Sequence, residues 1–348
     1  MAYTDIDKPS DYFNTVLYTG NGGTQSITGV GFQTDWSWIK RRDGSAFHVV
    51  TDSVRGATKQ IYPNDNQAEG TRAQGLQSFD SDGYTLGNEG DTNASSSTYV
   101  GWNWKAGTSF TNDASATGIG SIDSSGSVNQ DAGFSIISYT GTGNAATVSH
   151  GLGVAPKMII IKNRSTTNGW EVYHQSIGNT KYLALNVNDA ALASASRWNN
   201  TSPTSTVFTV NTEGGVNSNG GNLIAYCFAN KKGYSKFGSY TGNGSASSGT
   251  FCFTGMKPSF VMIKRTDTTG SWEMYDAKRE GFNPQVHGLY ANGTNAEDNT
   301  DDLLDLLSNG FKLYHDGGGL NASGGTYIFA AFASNPFVTS TGVPATAR

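Results

Sequence analysis

Cysteine is nearly absent: Cys227 and Cys252 are the only two in 348 residues. Both lie between aromatic residues, as Tyr226-Cys-Phe228 and Phe251-Cys-Phe253, where a free thiol acts as a small hydrophobe. Nothing in the spacing forces a bridge between them. Charge is also scarce. Asp, Glu, Lys and Arg make up 15% of the chain, against roughly 25% in ordinary globular proteins. The net charge is −5 and the one basic block is Lys40-Arg41-Arg42, so the electrostatic footprint of a nucleic-acid binder is missing. No apolar run reaches the roughly 18 residues a membrane-spanning helix needs. The N-terminus, Met1-Ala-Tyr-Thr-Asp-Ile-Asp-Lys8, lacks the basic and apolar regions of a signal peptide. Synthesis in a cytosol without export is the expectation.

Glycine is abundant, at 45 residues, about twice the usual share. Gly, Asn, Ser and Thr fill the gaps between short apolar runs. They rank low in helix propensity and favour tight turns. An all-β chain is expected.

One layout occurs three times. Met158-Ile-Ile-Ile-Lys162 is followed by Trp170-Glu-Val-Tyr-His174; Phe260-Val-Met-Ile-Lys264 by Trp272-Glu-Met-Tyr-Asp276; Trp36-Ser-Trp-Ile-Lys40 by Phe47-His-Val-Val-Thr51. Each copy opens with Tyr-Thr-Gly, at Tyr18, Tyr139 and Tyr240. Each closes with an asparagine and an apolar strand, at Asn93, Asn217 and Asn321. The lysine-to-asparagine separations (40 to 93, 162 to 217, 264 to 321) are 53, 55 and 57 residues. Fixed landmarks at near-constant spacing mark internal repetition. Short strands between turn signals, three times over, predict three tandem β-sandwich, jelly-roll-like repeats.

The expected boundaries are an N-terminal arm (1–17), a first repeat (18–107), a Ser/Thr/Gly-rich linker (108–133), a second repeat (134–233), a third repeat (234–337) and a C-terminal arm (338–348). Residues 68–74 allow a single helical turn, and Asp301–Leu307 reads as a short helix. The arm residues Tyr3, Ile6, Tyr12 and Phe13 precede the first landmark, so contact with a neighbouring subunit is expected of them.

The search for chemistry finds little. His48, His150, His174, His287 and His315 have no ligand spacing, and in the repeat frame His174 falls where the other copies have Thr51 and Asp276. Asp80-Ser-Asp82-Gly83 begins like a calcium loop but lacks the later oxygen ligands, so it reads as a turn. No metal, cofactor or catalytic constellation is expected, and no enzyme. Six tryptophans hold strand positions and read as core. Trp198 sits in a polar loop, Arg197-Trp-Asn199, where it stacks on a sugar ring, packs under its own loop or packs against another subunit.

Taken together, Gly20-Asn-Gly22, Val30-Gly-Phe-Gln-Thr-Asp-Trp-Ser-Trp-Ile-Lys40, Asp52-Ser-Val-Arg-Gly-Ala-Thr-Lys59, Ser78-Phe-Asp-Ser-Asp-Gly-Tyr84, Tyr99-Val-Gly-Trp-Asn-Trp-Lys105 and His150-Gly-Leu-Gly-Val-Ala-Pro-Lys157 resemble a repeated domain of tailed-bacteriophage virion proteins, marine phages especially. The resemblance implies a virion structural protein assembled in the host cytoplasm. Its expected place is a tail-fibre-like appendage touching a host-surface glycan, with Arg197, Trp198 and Asn199 as the candidate contacts. Its expected state is a homo-oligomer, a trimer being common in such appendages, in contact with other virion proteins. A head-decorating or tail-lining role is the alternative, and a glycan-degrading tail spike a third reading.

Overall fold

The computed structural model describes residues 3–298 and 303–344. The chain is mostly β, as its turn-rich composition requires. Three large antiparallel sheets dominate, and each is assembled from one copy of the repeated layout. In the first copy the order is Phe13–Thr19, Thr98–Trp104, Trp36–Arg41, Val49–Asp52. In the second it is Phe134–Thr140, Asn222–Phe228, Met158–Asn163, Trp170–His174. In the third it is Ser235–Thr241, Thr326–Pro336, Met256–Arg265, Trp272–Asp276. The order within each set is opening strand, closing strand, lysine strand and fourth strand. The register repeats too: Trp36, Met158 and Phe260 face Trp104, Phe228 and Phe332 on the closing strands.

The repeated stretches of the lysine strands, Trp36–Lys40, Met158–Lys162 and Phe260–Lys264, are buried throughout because each sheet is covered on both faces. Alternate residues divide between two cores. Trp36, Trp38, Trp104, Met158, Ile160, Phe228, Phe260, Met262 and Phe332 point to one centre shared by all three copies. The residues between them, such as Ile39, Ile159, Ile161, Val261 and Ile263, pack under smaller sheets private to each copy. Those smaller sheets are Gln25–Ile27, Gly83–Leu86 and Leu76–Asp80; Ala146–Ser149 and Val207–Val210; and Phe251–Phe253, Gly310–Leu313 and Leu304–Leu307.

Aromatic contacts close the centre in a circuit. Trp36 of the first copy stacks on Tyr226 of the second, with centroids 4.8 Å apart. Phe228 of the second meets Phe332 of the third at 5.9 Å, and Phe332 meets Trp104 of the first at 5.4 Å. Truncating one such ring to alanine costs about 3–5 kcal/mol in a close-packed core.

The landmarks that revealed the repetition now have physical causes. Tyr18, Tyr139 and Tyr240 donate to the carbonyls of Thr92, Val216 and Leu320, each just before the landmark asparagine. Asn93, Asn217 and Asn321 are fully buried, and each pins the Tyr-Thr-Gly loop by accepting a backbone N–H and donating back into that loop. The glycine is required by close approach. A Cβ on Gly20, Gly141 or Gly242 would sit 2.2–2.3 Å from the carbonyl oxygen of Ala94, Ser218 or Ala322.

Four local expectations are corrected. Residues 108–133 are not a loose linker. Thr108–Asn112 and Ser124–Asn129 extend the second large sheet beside its opening strand. The described part of 301–307 is a strand, Leu304–Leu307. Leu304 and Leu306 both point inward with period two, and the strand pairs with Gly310–Leu313; Asp301 and Asp302 lie outside the described residues. No helical turn forms at 68–74, where Gly70–Thr71 pairs with Lys59–Gln60. The expected limit between arm and first copy at residue 17 cuts the opening strand Phe13–Thr19.

Candidate functional site

The arm residues are mostly used inside their own chain. Phe13 stacks on Phe332 at 5.3 Å in the shared core, and Ile6 is buried in the same cluster. Tyr12 packs edge-on against Tyr234 at 5.8 Å. Thr4 and Asp5 bond to the backbone of Lys232, and Asp7 bonds to Ser340 of the C-terminal arm. Of the four arm residues Tyr3, Ile6, Tyr12 and Phe13, Tyr3 is the exposed one, at 71%.

Trp198 packs under its own loop. It is buried, its Nε1 donates to the Lys181 carbonyl at 3.0 Å, and Tyr173 meets its ring edge-on. It offers no face to a sugar. Arg197 lies over the Tyr182 ring at 3.4 Å and donates to Glu171 at 2.6 Å. Asn199 is the exposed left-handed residue that ends the short helix Ala195–Trp198. The three residues are adjacent but do not converge on a ligand.

The groups that look chemical are also occupied structurally. Burial pushes His150 and His174 down to about 4, and His48 well below its usual value. Asp82 accepts from the Gly29 and Gly31 N–H groups, as a turn residue does. No group of three or more His, Cys, Asp or Glu among the described residues is arranged to hold a metal. Both cysteines are free and buried, in separate cores. Glu273 is lifted to about 7 by burial and accepts from the Tyr275 hydroxyl at 2.7 Å. It lines a cavity of about 100 Å³ with Tyr290, Asp298 and His315, smaller than the roughly 300–1,000 Å³ of small-molecule sites.

The polar feature that recurs is a clamp between copies. Lys40, Lys162 and Lys264 end the lysine strands, and all three are fully buried. Desolvation lowers each to about 8. Each Nζ donates to one carbonyl of its own copy and one of another. Lys162 reaches Asn168 (2.7 Å) and Asn66 of the first copy (3.1 Å). Lys264 reaches Arg265 (2.6 Å) and Asn188 of the second (3.4 Å). Lys40 reaches Arg41 (2.8 Å) and Thr294 of the third (3.2 Å). The contacts form a closed cycle. Backbone bonds repeat it: the Asn66, Asn188 and Thr294 carbonyls accept from Asn168, Gly270 and Ala46. Three residues further on, the N–H groups of Glu69, Ala191 and Glu297 donate to Arg164, Thr266 and Arg42.

Two of the three boundaries add buried charge. Between the first and second copies, Asp52 accepts from Arg55 (2.5 Å) and from Tyr226 of the second copy (2.6 Å). Arg55 also reaches Glu69, which pairs with Arg164 of the second copy at 2.9 Å. Between the third and first, Asp276 accepts from Arg279 (2.5 Å) and from Trp102 of the first copy (2.9 Å). Arg279 reaches Glu297, which pairs with Arg42 at 2.9 Å. The strand register places His174 at the position of Asp276, as expected, and of Asp52 rather than Thr51. Asp52, His174 and Asp276 each lie twelve residues after their lysine, so His48, not Phe47, stands where the other copies have Trp170 and Trp272, and aligning on the aromatic residue shifts the first copy by one.

The lysines were legible as landmarks, but their partners were not, since those partners are backbone carbonyls, one of each pair in a loop of another copy. No curated protein matches this chain. Residues 8–336 match the family described as a domain of unknown function, DUF7483, and with nearly its whole length covered the chain belongs to that family.

Proposed function

We propose that this protein is a structural component of a tailed-phage particle, built as three β-sandwich repeats closed around an approximate threefold axis, and that it works in a tail-fibre-like appendage at the host surface. The observation that carries the structural reading is the lysine clamp. The recurrent lysines are spent on holding copies together and the recurrent asparagines on pinning loops within each copy, all in positions closed to solvent. The particle assignment rests on the sequence resemblance to phage virion domains. A chain whose three copies already fill one axial core needs no second or third chain to complete it. Oligomerisation therefore uses outer surfaces. The described parts of the arms are tied to Lys232 and to each other through Thr4, Asp7 and Ser340, which favours the second reading, a decorating or lining protein.

The test is immunogold labelling of intact particles with an antibody raised against the purified protein. Label along or at the tip of a tail appendage supports the first reading, and label over the head shell or along the tail tube supports the second. Particles without label overturn the virion assignment. Glycan-array binding by the purified protein separates an adhesive appendage from a purely structural one.

A further inference from the structure

The strand Phe251–Phe253 is an edge. It pairs with Gly310–Leu313 on one side only. Its middle residue, Cys252, points into the third copy's private core opposite Phe311, while Phe251 and Phe253 are 44% and 61% exposed. Large aromatics on an open edge are unusual, because such an edge is a template for another strand. The other two copies give the reference state. Ile27 faces Tyr84 and Val148 faces Phe208, so these are the counterparts of Cys252 and Phe311. The residues flanking them are Ser26 and Thr28 in the first copy and Thr147 and Ser149 in the second. The third copy alone carries phenylalanine at both outward positions.

The second copy also shows what such an edge accepts. Its strand Ala146–Ser149 is covered by an extended segment of the same chain. Ile122 bridges Val148 in parallel, the Ser121 and Ile122 N–H groups donate to the Thr147 carbonyl, and Ser124 Oγ donates to Ser149. That segment comes from the insertion at 108–133, which the third copy lacks. Beyond Phe253 the open edge runs into a groove of about 580 Å³ lined by Tyr3, Phe337, Lys231, Lys232 and Lys236, with Asp5 as its acidic member.

We infer that Phe251–Phe253 is the docking site for an extended, acidic and apolar-alternating segment of a partner protein, which adds as a further strand. Backbone pairing supplies affinity, and side-chain pockets select the sequence. The two phenylalanines take the segment's apolar residues, and the three lysines select negative charge. The inference stands on edge geometry and needs no particular place on a virus particle.

The probes are two short synthetic peptides, one alternating Asp with Ile and one alternating Lys with Ile, titrated against the full chain by fluorescence anisotropy. The acidic peptide is expected to bind and the basic one not. Phe251→Ser with Phe253→Thr, the residues of the sibling edges, should weaken binding about tenfold or more, as loss of the central apolar anchors does. Lys231→Glu with Lys236→Glu should weaken it as well. Hydrogen exchange of the Phe251 and Phe253 amides in the unaltered protein, slowed by the acidic peptide, keeps the test readable if a variant misfolds. Equal binding of both peptides, or binding of neither, overturns the inference. So does a dimer in sedimentation that the phenylalanine substitutions return to monomer, because that assigns the edge to a second copy.

Discussion

The boundary between the first and second copies and the boundary between the second and third share one backbone plan but differ in chemistry. Both have the lysine clamp and the two backbone bonds beside it. At the first boundary a chain of charge runs from half-buried Arg164 and Glu69 to fully buried Arg55 and Asp52 and ends on the Tyr226 hydroxyl. At the second, the same five positions hold Thr266, Ala191, Ile177, His174 and Ala330. All five are exchanged, and the boundary between third and first keeps the charged set. A buried ion network is tolerated when complete and costs several kcal/mol when one member is lost. Partial exchange leaves an arginine or carboxylate unpaired in a dry site, so these residues are kept or replaced as a group. His174 shows how the replacement works: its Nδ1 accepts the Ser176 N–H, much as Asp52 accepts from Val54 and Arg55.

The sharpest way to break the comparison is to remove one charge. Asp52→Ala leaves Arg55 fully buried without its short partner, and Tyr226 without its acceptor. A loss of about 3–5 kcal/mol is expected from the denaturant midpoint. A loss below 1 kcal/mol would mean that solvent reaches this site.

Acid should act first on the neutral boundary. The folded value of His174 is depressed to about 4 by burial, whereas in the unfolded chain it stays near the ordinary imidazole value of about 6.5. Below 6.5 the unfolded state binds the extra proton, so stability present at neutral pH falls as pH drops from about 6.5 towards 4. At pH 5 this amounts to about 2 kcal/mol from His174 alone. His174→Gln should reduce the loss between pH 7 and pH 5. Hydrogen exchange should show amides near Ile177 and Ala330 losing protection before those near Asp52. Equal loss in the variant and the parent would assign the acid response to other buried histidines.

Removing the whole network at once should hurt less than removing one member. Asp52→Asn, Arg55→Met, Glu69→Ala, Arg164→Thr and Tyr226→Phe together are expected to stay within about 1.5 kcal/mol of the parent, because buried ion networks replaced by apolar groups are often near neutral. If the combined variant is as unstable as Asp52→Ala, the charges contribute net stability, and their absence at the other boundary needs compensation elsewhere.

Much of this plan was legible in the sequence, and the illegible part has a consistent cause. The lysine strands, the Tyr-Thr-Gly loops and the asparagines repeat because each solves a local problem with local partners. The shared centre was not legible. Period-two alternation shows that Ile160 and Ile161 face opposite ways, but both sides are apolar, so nothing distinguishes a private core from a common one. Leu303-Leu-Asp-Leu-Leu307 fits a helix on spacing alone; pairing with Gly310–Leu313 overrides that preference. The polar run at 108–133 reads as a linker because Thr108–Asn112 is an edge strand and Ser124–Asn129, though paired on both sides, carries Val128 as its one large apolar residue. The polar neighbours of Trp198 left exposure and burial equally open in the sequence; a tryptophan needs only one covered pocket and one acceptor, here the Lys181 carbonyl.

The smallest effect comes from rebuilding charge at the neutral boundary. Ala191 and Thr266 stand where Glu69 and Arg164 stand, and their backbones are bonded in the same way, N–H to carbonyl at 2.9 Å and 3.0 Å. Both positions are half-buried, and no inner arginine is present to share the carboxylate. Thr266→Arg with Ala191→Glu should therefore behave as a partly screened surface pair. Each single change is expected to be near neutral, and a double-mutant cycle should give a coupling of about 0.5–1 kcal/mol that shrinks with added salt. Coupling of that size would mean the two boundaries are interchangeable scaffolds that differ only in side chains. Zero coupling at low salt would mean the loops carrying residues 191 and 266 diverge enough to keep the side chains apart, and the shared backbone plan would then stop at the clamp.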